Sequence, residues 1–235
     1  MELSIIIPVY KESESIESTL DHLFSLSIPL AFEVIVVDGE PAGSTLKVIE
    51  TRHAGKAPRC RLKLIPSAKG RGTQMNAGAA AALGRLFFFL HADTRLTQAG
   101  LDQMVTVWKR RNSSRFCGAF DLSIDSSEPW FRIIEKTASL RSRLTRIPYG
   151  DQGLFISRQL FEAAGGFPDV PLMEDVGLMA AVKRQRVRPL FLGRHIRTSA
   201  RRWKKQGVVF STLRNWILIC LWILGVSPHR LDRFY

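Results

Sequence analysis

The chain has 235 residues, 46% of them hydrophobic, with 17 glycines and 11 prolines; this suits one sizeable globular domain, with at most an appendage, and excludes a fibrous or disordered protein. Cys60, Cys117 and Cys220 are odd in number and widely spaced, which excludes a disulfide framework or a zinc pattern and suits a reducing, cytosolic setting. Residues 176–235 carry 13 basic and 1 acidic side chains of a chain whose net charge is +13, and such a block suits an anionic partner: nucleic acid, an anionic membrane surface or a polyphosphate substrate.

The N-terminus, Met1-Glu2-Leu3-Ser4, runs directly into an apolar strand, with no basic segment or cleavage site of a secretory signal. The first half alternates strand and helix signals. Leu3–Val9 reads as a strand, and Ser13 or Ser15 can cap a helix running to about Leu26. Residues 33–37 read as a second strand, 45–53 as a helix and Arg61–Pro66 as a third strand. An Ala-rich helix follows over 72–83, with Gly84 placed to end it, and then a fourth strand over 86–90. This alternation predicts an α/β fold with a mostly parallel central sheet flanked by helices.

The second half is less regular. Helices are expected over 101–111, 129–147 and Glu174–Arg184, and strands over 116–124, Leu154–Ser157 and 187–192. In 129–147, Trp130, Ile133, Ile134, Leu140, Leu144 and Ile147 recur mostly at three-to-four spacing, with Arg132, Lys136, Arg143 and Arg146 on the other side. Residues 216–226 form an unbroken run of 11 apolar or glycine residues after Arg214 and Asn215. The run is shorter than the roughly 20 residues a bilayer span needs. An interfacial amphipathic helix is the leading expectation, against a core or dimer-packing helix or a poor span extended back to 208. The resulting division is a domain over 1–205 and a basic, apolar appendage over 206–235.

His91-Ala92-Asp93 follows the strand Leu86-Phe87-Phe88-Phe89-Leu90. A run that apolar is buried on both faces, and open α/β sheets bind ligands just beyond the carboxyl ends of their strands. Asp93 is therefore placed to hold a metal-bound diphosphate, or else to cap a following helix. Other polar stations fall at strand ends or turns: Pro8-Val9-Tyr10-Lys11-Glu12, Asp38-Gly39, Lys69-Gly70-Arg71-Gly72 with Asn76 one turn on, and Glu174-Asp175. All but the last would line one crevice of a parallel sheet. Lys69 and Arg71 flank glycines at a helix N-terminus, where backbone N–H groups and the helix dipole favour phosphate. Neither a Walker A loop nor a Gly-x-Gly-x-x-Gly after the first strand is present.

These motifs, in the order Pro-Val-Tyr-Lys-Glu, Val-Val-Asp-Gly, Lys-Gly-Arg-Gly-x-x-x-Asn-x-Gly, His-Ala-Asp, Glu-Asp and Arg-Arg-Trp, span roughly residues 3–205. They resemble the family 2 glycosyltransferases of GT-A fold, in particular small bacterial members with His-Ala-Asp where others have Asp-x-Asp. The resemblance implies an inverting transferase using a nucleotide-sugar donor, UDP-linked in the first expectation, and a sugar or lipid acceptor reached through a hydroxyl or phosphate. It implies a donor nucleotide site of Pro8, Tyr10, Glu12, Asp38, Lys69, Arg71 and Asn76. Asp93 and His91 would hold Mg²⁺ or Mn²⁺, with His195 as a further candidate ligand. Asp175 would be the general base, with Glu174 beside it raising its pKa. Asp151 and Gln152 would lie near the donor sugar or acceptor, and Arg201-Arg202-Trp203 would close over the diphosphate and acceptor.

Two departures from the family pattern stand out. Gly43 occupies the place of an acid in Glu40-Pro41-Ala42-Gly43-Ser44-Thr45, and His91 replaces the first acid of Asp-x-Asp. The charge distribution and the apolar C-terminal run together predict a cytoplasmic protein, peripheral at the inner membrane, with a homodimer through the C-terminal helix as a further expectation and no nucleic-acid partner. Three alternatives are carried: nucleotidyl transfer on a similar scaffold, a basic membrane- or nucleic-acid-binding module, and a degenerate, non-catalytic GT-A scaffold.

Overall fold

A computed structural model describes residues 1–53, 60–111, 115–201, 203, 207, 214, 217–219, 221, 222 and 224–232, with the side chains of 53, 194 and 195 left aside. Its strands are β1 (Leu3–Val9), β2 (Phe32–Asp38), β3 (Arg61–Pro66), β4 (Leu86–Phe89), β5 (Thr94–Leu96), β6 (Cys117–Asp125), β7 (Leu154–Ser157) and β8 (Leu190–Ser199). The helices are α1 (Ile16–Ser25), α2 (Ser44–His53), α3 (Arg71–Ala81), α4 (Gln98–Arg111), α5 (Pro129–Thr145), α6 (Arg158–Ala163), α7 (Glu174–Arg184) and α8 (Pro228–Leu231). One sheet holds all eight strands in the order β3-β2-β1-β4-β7-β6-β8-β5.

The pairs β2–β3, β1–β2, β1–β4 and β6–β8 are parallel, and β4–β7, β6–β7 and β5–β8 antiparallel. The expected α/β architecture, a mixed and largely parallel sheet with helices on it, is what the chain adopts. Period-two alternation divides the apolar side chains between two layers. Leu3, Ile5, Ile7, Val34, Val36 and Phe88 pack with α1, α2 and α4 on one side. Ile6, Ile35, Val37, Phe87 and Phe89 pack with α3, α6 and α7 on the other. Phe87, Phe88 and Phe89 are all fully buried, and each contributes on the order of 1.5–3 kcal/mol of burial.

Several boundaries differ from expectation. Asp93 is followed by β5, paired antiparallel with β8, and not by a helix that it could cap. The last strand begins at Leu190 and runs to Ser199, past the 187–192 expected for it. Helix α6 went unforeseen. Helix α3 ends at Ala81, before Gly84; there a Cβ would lie 2.6 Å from the Ser4 backbone nitrogen, so Gly84 permits the chain to pass close to β1.

The most informative difference is in α5. It is helical over nearly the expected span, but Trp130, Ile133, Leu140 and Leu144 are exposed and Phe131, Glu135 and Ser142 are buried. Phe131 anchors a small core with Leu122, Ile124, Ala200 and Trp203. Glu135 accepts the Ile124 N–H at 2.7 Å, and Ser142 donates to Gln152 at 2.7 Å. These partners turn the helix away from the orientation its apolar count suggests.

Of the 216–226 run, positions 216, 220 and 223 lie outside the described residues. Among those described, no helix is long and apolar enough to cross a membrane. Leu218 and Leu231 are buried against Leu172, Met173 and Val176. Cys60 and Cys117 are buried free thiols, and burial pushes the Cys117 thiol up to about 12, out of reach of thiolate chemistry at neutral pH.

Candidate functional site

β3, β2, β1 and β4 run parallel and end on one edge of the sheet. Their ends deliver Tyr10 after β1, Asp38 on β2, Lys69 beyond β3 and His91 beyond β4. A cleft of about 420 Å³ opens there, and its walls include Pro8, Tyr10, Glu12, Lys69, Arg71, His91 and Asp93. Seven sequence-predicted residues thus meet around one cavity. Lys69 Nζ lies 4.9 Å from the centre of the Tyr10 ring, so a cation and an aromatic face stand together at the mouth.

The Lys69–Gly72 turn is shaped by its two glycines. Gly70 takes a φ of +145°, a conformation that side chains disfavour, and is the residue from which α3 starts. At Gly72 a Cβ would lie 2.9 Å from the Pro168 carbonyl oxygen, so a side chain there would push the first turn of α3 off the 167–174 loop. Arg71 then reaches both the cleft and the buried Glu174, with which it forms an ion pair.

Asp38 is buried one strand over and is not among the side chains that line the cleft. Its Oδ1 accepts the Glu40 N–H at 2.8 Å, while the buried Oδ2 has no hydrogen-bond partner among the described residues. A buried acceptor without a donor is costly, and a ligand N–H or O–H would satisfy it. Gly43, the departure from the acid, stands at a φ of +60° with open space around it, and its N–H closes a turn onto Glu40 at 2.9 Å. Glu40 accepts the Ser44 N–H at 3.2 Å at the start of α2, and its hydrogen bond from the Ser44 hydroxyl holds its carboxyl below the usual range.

Asp175 is buried and, like Asp38, is not among the side chains that line the cleft. Its Oδ2 accepts the Gly150 N–H at 2.8 Å and its Oδ1 the Val176 N–H at 2.7 Å. A Cβ at Gly150 would lie 2.7 Å from His91 Nε2 and 3.9 Å from Asp175 Oδ2, so the two side chains converge on the backbone of that one glycine. Burial and then the neighbouring Glu174 charge push the Asp175 carboxyl up to about 6, with Arg71 and the two backbone N–H groups opposing. Met173, just before this pair, holds a left-handed backbone with a φ of 66°, an unusual conformation for a side-chain-bearing residue.

Among the described residues, no group of three or more His, Cys, Asp and Glu side chains is placed to cage a metal. His91 and Asp93 therefore suit only a cation that completes its shell with water and ligand oxygens. Asp93 also lines a second cleft of about 410 Å³, which carries Arg95, Arg197 and Arg201.

Other predicted residues are occupied differently. Asn76 donates from Nδ2 to the Phe167 carbonyl at 2.8 Å and accepts the Phe167 N–H at 2.9 Å, so it clamps α3 to the loop before α7 and is not among the residues that line the cleft. Gln152 accepts from Ser142 and the Tyr149 N–H and donates to the Phe120 carbonyl at 3.0 Å, so its amide is committed to the protein. Asp151 lies beside it, half-buried in a single 3-10 turn, Gly150–Gln152. Arg201 pairs with Glu12 at 3.2 Å and lines the second cleft, not the first. Trp203 packs edge-on against Phe131, in a small core. Arg202 and the His195 side chain lie outside the described residues.

Gln74 was missed. Buried in the cleft wall, it donates from Nε2 to the Val9 carbonyl at 2.7 Å and the Val37 carbonyl at 2.8 Å, tying together the ends of β1 and β2. The signal was there: a lone amide on an α3 face otherwise built of Gly72, Met75, Gly78 and Ala79.

The sequence model of Glycosyl transferase family 2 matches residues 4–167. No curated protein sequence matches the chain significantly. Among solved structures, it is similar to S. aureus TarS 1–349, at a TM-score of 0.65 and 17% identity over 99% of this chain and 68% of that one. The complex of that protein with UDP-GlcNAc aligns at 0.65 and 19% identity, over 85% of this chain and 58% of that one. The mannosyltransferase PcManGT from Pyrobaculum calidifontis, in complex with GDP-Man and Mn²⁺, aligns at 0.64 and 22% identity, over 84% of this chain and 56% of that one. At such identities the likeness is one of fold. Full-length TarS is longer still, and the chain spans 42% of it.

Proposed function

Because this chain belongs to glycosyl transferase family 2, we propose that it moves a sugar from a nucleotide-sugar donor to an acceptor hydroxyl or phosphate, with inversion at the anomeric carbon. The observation that carries the reading is the pairing of an ionisable, buried Asp175 with a cleft that gathers Lys69, Arg71, His91 and Asp93. In a single displacement the acceptor oxygen forms its bond to the sugar as the bond to the nucleoside diphosphate breaks. Asp175 takes the proton of an acceptor hydroxyl. A carboxyl raised to about 6 is ionised at neutral pH, yet more basic than a free carboxylate.

Charge builds on the departing diphosphate, and Lys69 and Arg71 at the start of α3 are placed to stabilise it. The donor set of His91 and Asp93 fits Mg²⁺ or Mn²⁺, which would neutralise the same charge when bound. The unpartnered Oδ2 of Asp38 supports a contact to a donor N–H or O–H of the base or ribose. A UDP-linked donor is the first choice, since TarS, a protein of similar fold, is found with UDP-GlcNAc, with a GDP-linked one next, as in PcManGT. A lipid acceptor at the cytoplasmic face of a membrane fits the basic C-terminal region.

A thermal-shift screen of nucleoside diphosphates and nucleotide sugars, with and without Mn²⁺, tests the reading. A true donor at about 100 times its Kd should stabilise by about 2.7 kcal/mol. Asp175→Asn should keep that stabilisation and lose transfer. No shift with any nucleoside diphosphate, or full activity in the variant, would overturn the proposal.

A further inference from the structure

Helix α5 carries its apolar side chains outward. Trp130 is 57% exposed, Ile133 65%, Leu140 57% and Leu144 74%. At about 100° per residue these four fall within an arc roughly 80° wide. The opposite arc holds Phe131, Glu135 and Ser142, which pack and hydrogen-bond inward. Lys136 and Arg143, both exposed, border the apolar arc on one flank, Arg143 in a two-pronged ion pair with Asp121 at 2.7 and 3.1 Å. Arg141 borders it on the other, its guanidinium 3.5 Å from the centre of the Tyr149 ring, and at the start of the helix the Trp130 indole N–H donates to Glu128 at 2.8 Å.

The C-terminal segment packs at the two ends of α5. Trp203 packs on Phe131 in the first turn of α5, and Ile219, Leu221 and Trp222 pack in the cluster that includes Ile147 and Tyr149, just past its last turn. Of that segment, Ile217 is 50% exposed and Leu224 78%. Exposed apolar side chains thus occur both along α5 and in the described part of the C-terminal region.

We propose that this face docks on an anionic lipid bilayer, with Trp130, Ile133, Leu140 and Leu144 at the boundary of headgroups and acyl chains and Lys136 on the headgroup phosphates. The chemistry matches that occupant. A narrow apolar stripe with an aromatic at one end and cations along its border is what the interface of a charged bilayer retains. The net charge of +13 favours an anionic surface over a second, equally basic copy of the chain. The chain leaves α5 through Tyr149 to Gly150, whose N–H holds Asp175, so a short segment joins this face to the proposed base. The inference stands on this surface and not on the transferase reading.

Cosedimentation of the full chain with vesicles, in the absence of donor, tests it. Binding should be strong to phosphatidylcholine–phosphatidylglycerol vesicles, weak to phosphatidylcholine alone, and reduced by high salt. The double variant Ile133→Glu/Leu144→Glu changes two exposed positions and should keep the wild-type melting temperature and donor-induced shift. Its partition onto anionic vesicles should fall at least tenfold. Leu83→Glu, at a 50% exposed leucine between α3 and β4, should bind as wild type. Undiminished binding by the double variant, equal binding to neutral vesicles, or a wild-type dimer that the double variant dissolves would each overturn the proposal.

Discussion

Asp175 carries two opposed influences, and they can be separated by experiment. Burial and the Glu174 charge raise its carboxyl to about 6, while Arg71 and two backbone N–H groups pull it down. A base must be ionised to act, so kcat/KM should rise about tenfold per pH unit below that value and level off above it. Glu174→Gln removes a like charge and frees Arg71 from its partner, and both effects favour the ionised form. The limb should therefore move to lower pH. Arg71→Gln removes the opposing cation, so the limb should move to higher pH, with KM for the donor rising as well because Arg71 lines the cleft. Rate profiles of the two variants measure both shifts. Movement of both limbs in the same direction would remove Asp175 from the role of base.

At the scale of elements, the Gly150–Gln152 turn joins α5 to the proposed base, Asp175. It is fixed by Gln152, whose amide bonds α5 at Ser142 and β6 at Phe120, and it presents the Gly150 N–H to Asp175. Gly150→Ala would press a methyl to 2.7 Å from His91 Nε2. The ring can swing aside, so stability should change by no more than about 1 kcal/mol. The displaced imidazole should lower kcat about tenfold and raise the Mn²⁺ concentration needed for activity; a metal titration of the variant against wild type checks this, and identical curves would exclude His91 from the metal site. This turn also marks how far the sequence could be read. Strands β1 to β4 were legible because each apolar run stops at a polar station, and those stations meet at one sheet edge. The inner face of α5 was not, because it is chosen by hydrogen-bond partners distant in sequence, Ile124 and Gln152, which periodicity cannot register. Asn76 and Trp203 matched the family pattern by type and position, yet their contacts are with Phe167 and Phe131. β5 has three residues and was too short to leave a signal.

At the scale of the whole molecule, the question is whether residues 206–235 are an appendage or part of the domain. Leu218 and Leu231 are 2% and 0% exposed, and they bury Leu172, Met173 and Val176, the residues that enter and begin α7. Met173 holds its left-handed backbone there, a conformation that costs about 1–3 kcal/mol and persists only where packing enforces it. The C-terminal leucines are thus placed to hold the segment from which Glu174 and Asp175 project. Ending the chain at residue 206 should remove two buried leucines, worth about 1.5–3 kcal/mol each, and uncover their partners. For a chain of this size the melting temperature should fall by roughly 10 °C. The loss should also be uneven. Leu172 joins this cluster to the cleft, whereas Pro8, Tyr10, Lys69 and Arg71 line the cleft outside the cluster, so the donor-induced thermal shift should weaken but survive, while kcat should fall further as the start of α7 relaxes. Melting curves with and without donor, together with steady-state rates on the truncated chain, read both effects. An unchanged melting temperature and unchanged kcat would make 206–235 an independent appendage and leave the placing of Asp175 to α7 and the Gly150 N–H alone.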